Sequence, residues 1–195
     1  VRYDFIHPIK KAIAREELGI PDSVFTIMLL LGGSGSNQLV YFLEQIATIK
    51  DVNLQLLIAV GRNQAIIAKL AKISIPANIK LSVIGFTGKL AHYMRAADLL
   101  ITKPGPSATA EALRLQLPML MDATSTMLKW EAPNAYMVKE NGMGDIIYYY
   151  SQIPRLLRKY ALNKGLYEQT VENIASEPLA NFDAVFMKGF NLLIK

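Results

Sequence analysis

Residues 25–46, FTIMLLLGGSGSNQLVYFLEQI, run from an almost wholly apolar segment through three glycines and two serines into a stretch with helical spacing. A strand with one wet face alternates polar and apolar residues; a strand covered on both faces is apolar throughout, as Phe25 to Leu31 nearly is. The helix expected after the turn spans Gln38 to Thr48. Strand, glycine turn and helix together form the unit from which parallel sheets with crossover helices are built.

The unit recurs along the chain. Leu54 to Val60 precedes a helix over Gln64 to Lys72, and Ile79 to Ile84 precedes one over Lys89 to Ala96. Asp98 to Thr102 leads into a helix over Ala108 to Leu115, Pro118 to Met121 into one from Ala132, and Gly144 to Ile147 into a helical C-terminus. The expected fold is α/β, a doubly wound, Rossmann-like sheet of about six parallel strands. Lys10 to Leu18 reads as a short leading helix closed by Gly19, with Pro21 and Asp22 as a turn. The first nine residues find no partner in this scheme. With no repeat, low-complexity tract or linker, residues 1–195 read as a single domain.

Composition narrows the chemistry. No cysteine is present, which removes thiolate metal sites and cysteine nucleophiles, and His7 and His92 are the only histidines. No metal and no cofactor are expected. The net charge of +5 suits an anionic ligand or an acidic membrane surface, or it is a solvated basic face. Lysines and arginines form no block long enough for a nucleic-acid arm, so no nucleic acid is expected as partner. Apolar runs such as Ile27 to Leu31 fall far short of the roughly 20 residues of a membrane span. The start, VRYDFIHPIK, has no leader pattern and reads as cut from something longer. The expectation is a cytoplasmic protein.

Ligands of doubly wound sheets sit at the carboxyl ends of the strands, so four turns carry the functional reading. Gly32, Gly33, Ser34 and Gly35 form a loop that lets backbone approach a phosphate ahead of a helix N-terminus, or simply a tight connection. The third position of a G-x-G-x-x-G dinucleotide pattern is Gln38, and strand two ends in Gly61-Arg62 with no acid for an adenosine ribose, which disfavours a nicotinamide enzyme. Arg62 and Asn63 end the second strand: a guanidinium for a diphosphate, or a surface arginine. Gly85, Phe86 and Thr87 follow the third, where the ring flanks a base or joins the core. After the fourth, Lys103, Pro104, Gly105, Pro106 and Ser107 stop the strand; Ser107 is expected to cap the helix, leaving the N–H groups of Ala108 and Thr109 open to a phosphate. Glu111, expected in the first turn of that helix, either complements its dipole or accepts hydrogen bonds from the two hydroxyls of a ribose.

Elsewhere, Asp98, Asp122 and Asp145 read as caps or surface groups, His92 as exposed, and Arg155, Arg158 and Lys159 as a solvated helix face. Tyr148 to Tyr150 pack on the C-terminal helix or on a partner.

The segments REELGIP, LGGSGS, VGRN, VIGFT, AADLLITKPGPSATAEALRLQLPML and WEAPNAYMVKENGMG, in this order and spacing, resemble the donor-binding C-terminal half of two-domain GT-B glycosyltransferases. The resembling branch includes monogalactosyldiacylglycerol synthase, bacterial diacylglycerol glucosyltransferases and the peptidoglycan lipid-intermediate N-acetylglucosaminyltransferase. The resemblance runs from about Arg15 almost to the C-terminus.

It implies a UDP-sugar donor. Gly32 to Gly35 would lie by the diphosphate and sugar, Arg62 and Asn63 near the donor, and Gly85, Phe86 and Thr87 around the uracil. Gly105, Pro106, Ser107 and Ala108 would face the phosphates, Glu111 the ribose, and Trp130 with Glu131 the transferred hexose. Three positions differ from the family pattern: Ala108 replaces a threonine, Trp130 a glutamine, and DATSTMLKW lacks a proline-glycine turn. In this fold the acceptor site, the membrane-contacting surface and the catalytic base belong to an N-terminal domain, so the expected whole is a metal-independent hexosyltransferase acting on a lipid-like acceptor, peripheral at the cytoplasmic membrane face, with this chain inactive alone. The alternatives are a non-catalytic UDP-sugar-binding or partner-binding module and the donor subunit of a split glycosyltransferase.

Overall fold

In the computed structural model, which describes residues 2–32 and 36–177, the first apolar run is the central strand of the sheet. This β1 (Phe25–Leu30) has β2 (Leu54–Gly61) and β3 (Ile79–Gly85) on one side, and β4 (Leu99–Thr102), β5 (Met119–Asp122) and β6 (Gly144–Ile147) on the other. All pairings are parallel and the order is β3-β2-β1-β4-β5-β6. The doubly wound expectation holds. Both neighbours of β1 are reached by crossovers in opposite directions, so the switch point lies between β1 and β4.

Alternate residues of each strand feed two cores. Met28, Leu57, Leu100 and Met121 face one layer, with Met94 of α5 (Leu90–Ala96), Leu113 of α6 (Pro106–Arg114) and Val138 of α7 (Ala132–Glu140). Ile27, Leu29, Ile58 and Leu120 face the other, with Phe42 of α3 (Gln38–Ile46), Ile66 of α4 (Ala65–Leu70) and Leu156 of α8 (Ile153–Leu162). This two-sided burial is why the strands read as apolar runs rather than alternating ones. The chain ends its described part in α9 (Lys164–Ser176).

The opening residues do have a partner. A one-turn helix α1 (Tyr3–Ile6), too short to show a period, buries Phe5 to 1% exposure in the first core and lies against α6. The leading helix α2 (Lys11–Leu18) closes on left-handed Gly19 as expected. It carries Arg15, 4% exposed, whose guanidinium donates to the Ala96 and Asp22 carbonyls and to Asp98 Oδ2. Asp98 also accepts from Lys11 Nζ and the Thr26 backbone N–H, so it is a bonded hub between α2, β1 and β4 rather than a surface group.

Three further readings change. His92 is only partly exposed, with Nε2 3.2 Å from Glu17 Oε2. Asp145 accepts from Lys159 Nζ and Tyr160 Oη, and Arg158 donates to Asp51 through Nε and Nη2, so two cations of the solvated face also carry ion pairs. Tyr150 packs its ring on Tyr41 and Phe42 of α3.

Candidate functional site

A cleft of about 670 Å³ opens at the switch point between β1 and β4. Leu30 and Gly32 form its β1 wall, Thr102 and Lys103 its β4 wall, and the first turns of α6 its floor. Gly32 has φ +97, in the left-handed region that favours glycine, and the chain turns there away from β1. Gly33, Ser34 and Gly35 lie outside the described residues.

The helix after β4 starts two residues earlier than its sequence suggests. Gly105 is the N-cap with extended dihedrals (φ −71, ψ 142) and Pro106 is the first helical residue, where its fixed φ fits and its missing N–H costs nothing. Ser107 therefore sits inside the first turn and caps nothing. The Thr109 N–H is spent on the Gly105 carbonyl at 3.1 Å, and its hydroxyl donates to the same oxygen at 2.9 Å. The open amides are those of Ser107 and Ala108, which have no acceptor among the described residues. Both residues line the cleft, with Gly105 and Pro106. Unsatisfied N–H groups and the positive end of the helix dipole thus face the same space, an arrangement that suits an anion.

Glu111 stands in the second turn of α6, beyond the reach of simple dipole complementarity in the first. Its side chain is 6% exposed, yet it lines the cleft. Both oxygens are held: Arg2 Nε donates to Oε1 at 2.9 Å and Arg2 Nη2 to Oε2 at 3.0 Å. Arg2 is a cleft residue that sequence reasoning missed, because it lies 109 residues away in a segment without periodicity. Leu90, the first residue of α5, is another.

Glu131 and Trp130 part company. Glu131 lines the cleft, its Oε1 about 4.0 Å from where a Cβ on Gly105 would stand, and Oε2 accepts from the Leu128 N–H at 3.4 Å. Trp130 is 69% exposed and does not line it. Asn134 Nδ2 donates to the Pro104 carbonyl, so the segment before α7 is fixed to the turn that ends β4.

The remaining expected residues are not in the cleft wall; they sit at the carboxyl ends of β2 and β3. Arg62 stacks on Phe86, guanidinium carbon 4.5 Å from the ring centroid, and the ring is 67% exposed. Phe86 is thus not a core residue. Asn63 continues the turn that carries Arg62, and Gly85 ends β3 with Gln64 Nε2 packed 3.7 Å from its missing Cβ. Thr87 Oγ1 accepts from the Lys89 N–H, shaping the loop that delivers Leu90 to the cleft.

A polar chain ties the α3 start to the end of β5. The Gln38 N–H donates to Ser36 Oγ, Gln38 Nε2 to Thr124 Oγ1, and the Thr124 hydroxyl and N–H to Asp122 Oδ1. Asp122 is 3% exposed and so not a surface group, and its Oδ2 is buried without a partner among the described residues. Among the described residues no cluster of three or more acids and histidines is placed to hold a metal ion, and no helix is long and apolar enough to cross a membrane.

A switch-point cleft with open helix amides, at the carboxyl ends of parallel strands, defines a doubly wound α/β domain with a site suited to an anionic ligand. The chain belongs to the glycosyltransferase family 28 C-terminal domain family, whose model matches residues 26–175. It is 33% identical over 166 residues to monogalactosyldiacylglycerol synthase 1 of Arabidopsis thaliana, covering 82% of this chain and 30% of that protein. To the processive diacylglycerol beta-glucosyltransferase of Bacillus subtilis it is 23% identical over 140 residues, covering 72% and 36%. The chain spans about a third of the length of these curated relatives. The fold is that of GT-B glycosyltransferases such as Acinetobacter baumannii MurG, with TM-score 0.73 and 17% identity over 95% of this chain and 55% of that one.

Proposed function

We propose that this chain is the donor-binding domain of a glycosyltransferase that takes a UDP-hexose and transfers the hexose to a lipid-like acceptor. The observation that carries the reading is the convergence, in one cleft, of Gly32, the open amides of Ser107 and Ala108, and the Glu111 carboxylate. Its chemistry matches a nucleoside diphosphate: amides and helix dipole for the phosphates, a carboxylate for the ribose hydroxyls. Phe86, exposed and backed by Arg62, offers a face for the uracil, with the backbone of Gly85 and Thr87 beside its edge. Glu131 is the hexose-facing group; Trp130 stands outside the cleft and is not assigned to the sugar.

Charge developing on the departing diphosphate would be met by fixed N–H groups rather than a metal ion, a preorganised electrostatic device. We assign no catalytic base to this chain. We propose that base and acceptor site lie outside this chain, which spans about a third of its curated relatives, and that the whole works at the cytoplasmic membrane face. The lipid acceptor rests on the relatives named as diacylglycerol glycosyltransferases.

Titration calorimetry with UDP in the absence of divalent metal tests the reading. Binding that falls about tenfold or more in Glu111→Ala, the scale of a charged hydrogen bond, supports it. Equal affinity of wild type and variant would reject the ribose assignment, and NAD displacing UDP would reject the nucleotide class.

A further inference from the structure

Glu111 presents a problem of its own. A carboxylate with its side chain 6% exposed is costly to keep in place without donors, and neither its own helix nor the sheet supplies one. Arg2 is its only hydrogen-bond donor among the described residues. The guanidinium is itself located by α1: its carbon lies 4.9 Å above the Phe5 ring, Phe5 is sunk in the core, and the Phe5 N–H donates to the Arg2 carbonyl at 3.0 Å.

We infer that Arg2 is a positioning residue, which fixes the Glu111 carboxylate at the cleft wall in the orientation that receives the ligand diol. This rests on the nucleotide reading above and deepens it. The fork engages each carboxylate oxygen once, through Nε on Oε1 and Nη2 on Oε2, which leaves a second lone pair on each for a hydroxyl donor. Arg2 and a ribose can therefore hold the same carboxylate together. Its guanidinium side chain is half exposed, so its removal leaves the core packed, whereas Glu111 without it has no donor among the described residues to hold its orientation.

Uridine separates this role from a direct contact of Arg2 with phosphate, since uridine carries the diol and no phosphate. In NMR titrations of the full chain, Arg2→Ala is expected to weaken uridine and UDP by the same factor, about tenfold. Arg2→Lys, which keeps the charge and loses the fork, should recover only part of this. In the Glu111→Ala background, Arg2→Ala should change UDP affinity less than about twofold, because the two residues act as one unit. Uridine affinity unchanged in Arg2→Ala, or effects of the two substitutions that add, would overturn the inference while leaving the nucleotide site intact. A Glu111→Ala variant that binds UDP like wild type would overturn both.

Discussion

Asn134 Nδ2 donates to the Pro104 carbonyl at 2.9 Å, joining the first turn of α7 to the turn that ends β4. Pro104 is buried, so that carbonyl has few other donors. Through this bond the segment bearing Glu131 and the N-terminus of α6 are built as one rim of the cleft.

Loss of that bond should loosen the rim. Asn134→Ala is expected to cost about 1 kcal/mol in urea unfolding, the usual net worth of one hydrogen bond. It should also reduce the advantage of UDP-hexose over UDP, with UDP itself little affected. A variant with unchanged discrimination between the two would show that Glu131 does not depend on the link.

Phe86 is expected to matter for binding and not for stability. Its ring is exposed, so Phe86→Ala should leave the unfolding midpoint in place. It should weaken UDP by about 1 kcal/mol or more, the scale of one base stacked on an aromatic ring. Fluorescence or calorimetric titration showing no loss would remove the uracil from this loop.

Far from the cleft, Arg15 is the opposite case. Its buried guanidinium and the Asp98 carboxylate neutralise each other where α2, β1 and β4 meet. Arg15→Ala leaves Asp98 with Lys11 and the Thr26 amide alone, and a loss of about 3 kcal/mol is expected from urea denaturation. A change below about 1 kcal/mol, the range of surface pairs, would contradict the burial argument.

Alkaline pH should destabilise the fold through two phenols. Burial first, and then the carboxylates Asp145 and Asp98 respectively, push Tyr160 and Tyr167 above the ordinary value of 10.0. Above that value the unfolded chain loses these protons while the folded one keeps them, so stability falls as pH rises, by about 1.4 kcal/mol per pH unit for each group. Lys11, lowered chiefly by burial, acts the other way just below 10.5, where the folded chain sheds its proton first. Denaturation curves between about pH 9 and 12 should show a shallower decline for Tyr160→Phe. An identical slope in wild type and variant would contradict the assignment.

The sheet is legible in the chain because strands buried on both faces carry their signal locally, as Phe25 to Leu30 and Leu54 to Gly61 do. Glu111 and the amide-bearing turn are legible for a similar reason: a proline, a glycine and a helix start leave a local mark. What was not legible is tertiary. The cap shifted from Ser107 to Gly105 because Pro106 fits the first helical position. Arg2 was invisible, since nothing in a four-residue helix announces a partner 109 positions on. Trp130 and Glu131 are adjacent in sequence and differ in direction, one to solvent and one to the cleft, which only the start of α7 decides.

The account is tested most directly by a crystal structure of the chain with UDP. The ribose hydroxyls are expected within hydrogen-bond reach of the Glu111 carboxylate, with the diphosphate against the Ser107 and Ala108 amides and the uracil on Phe86. UDP bound elsewhere, with the Glu111 carboxylate contacting Arg2 and no part of the nucleotide, would contradict it.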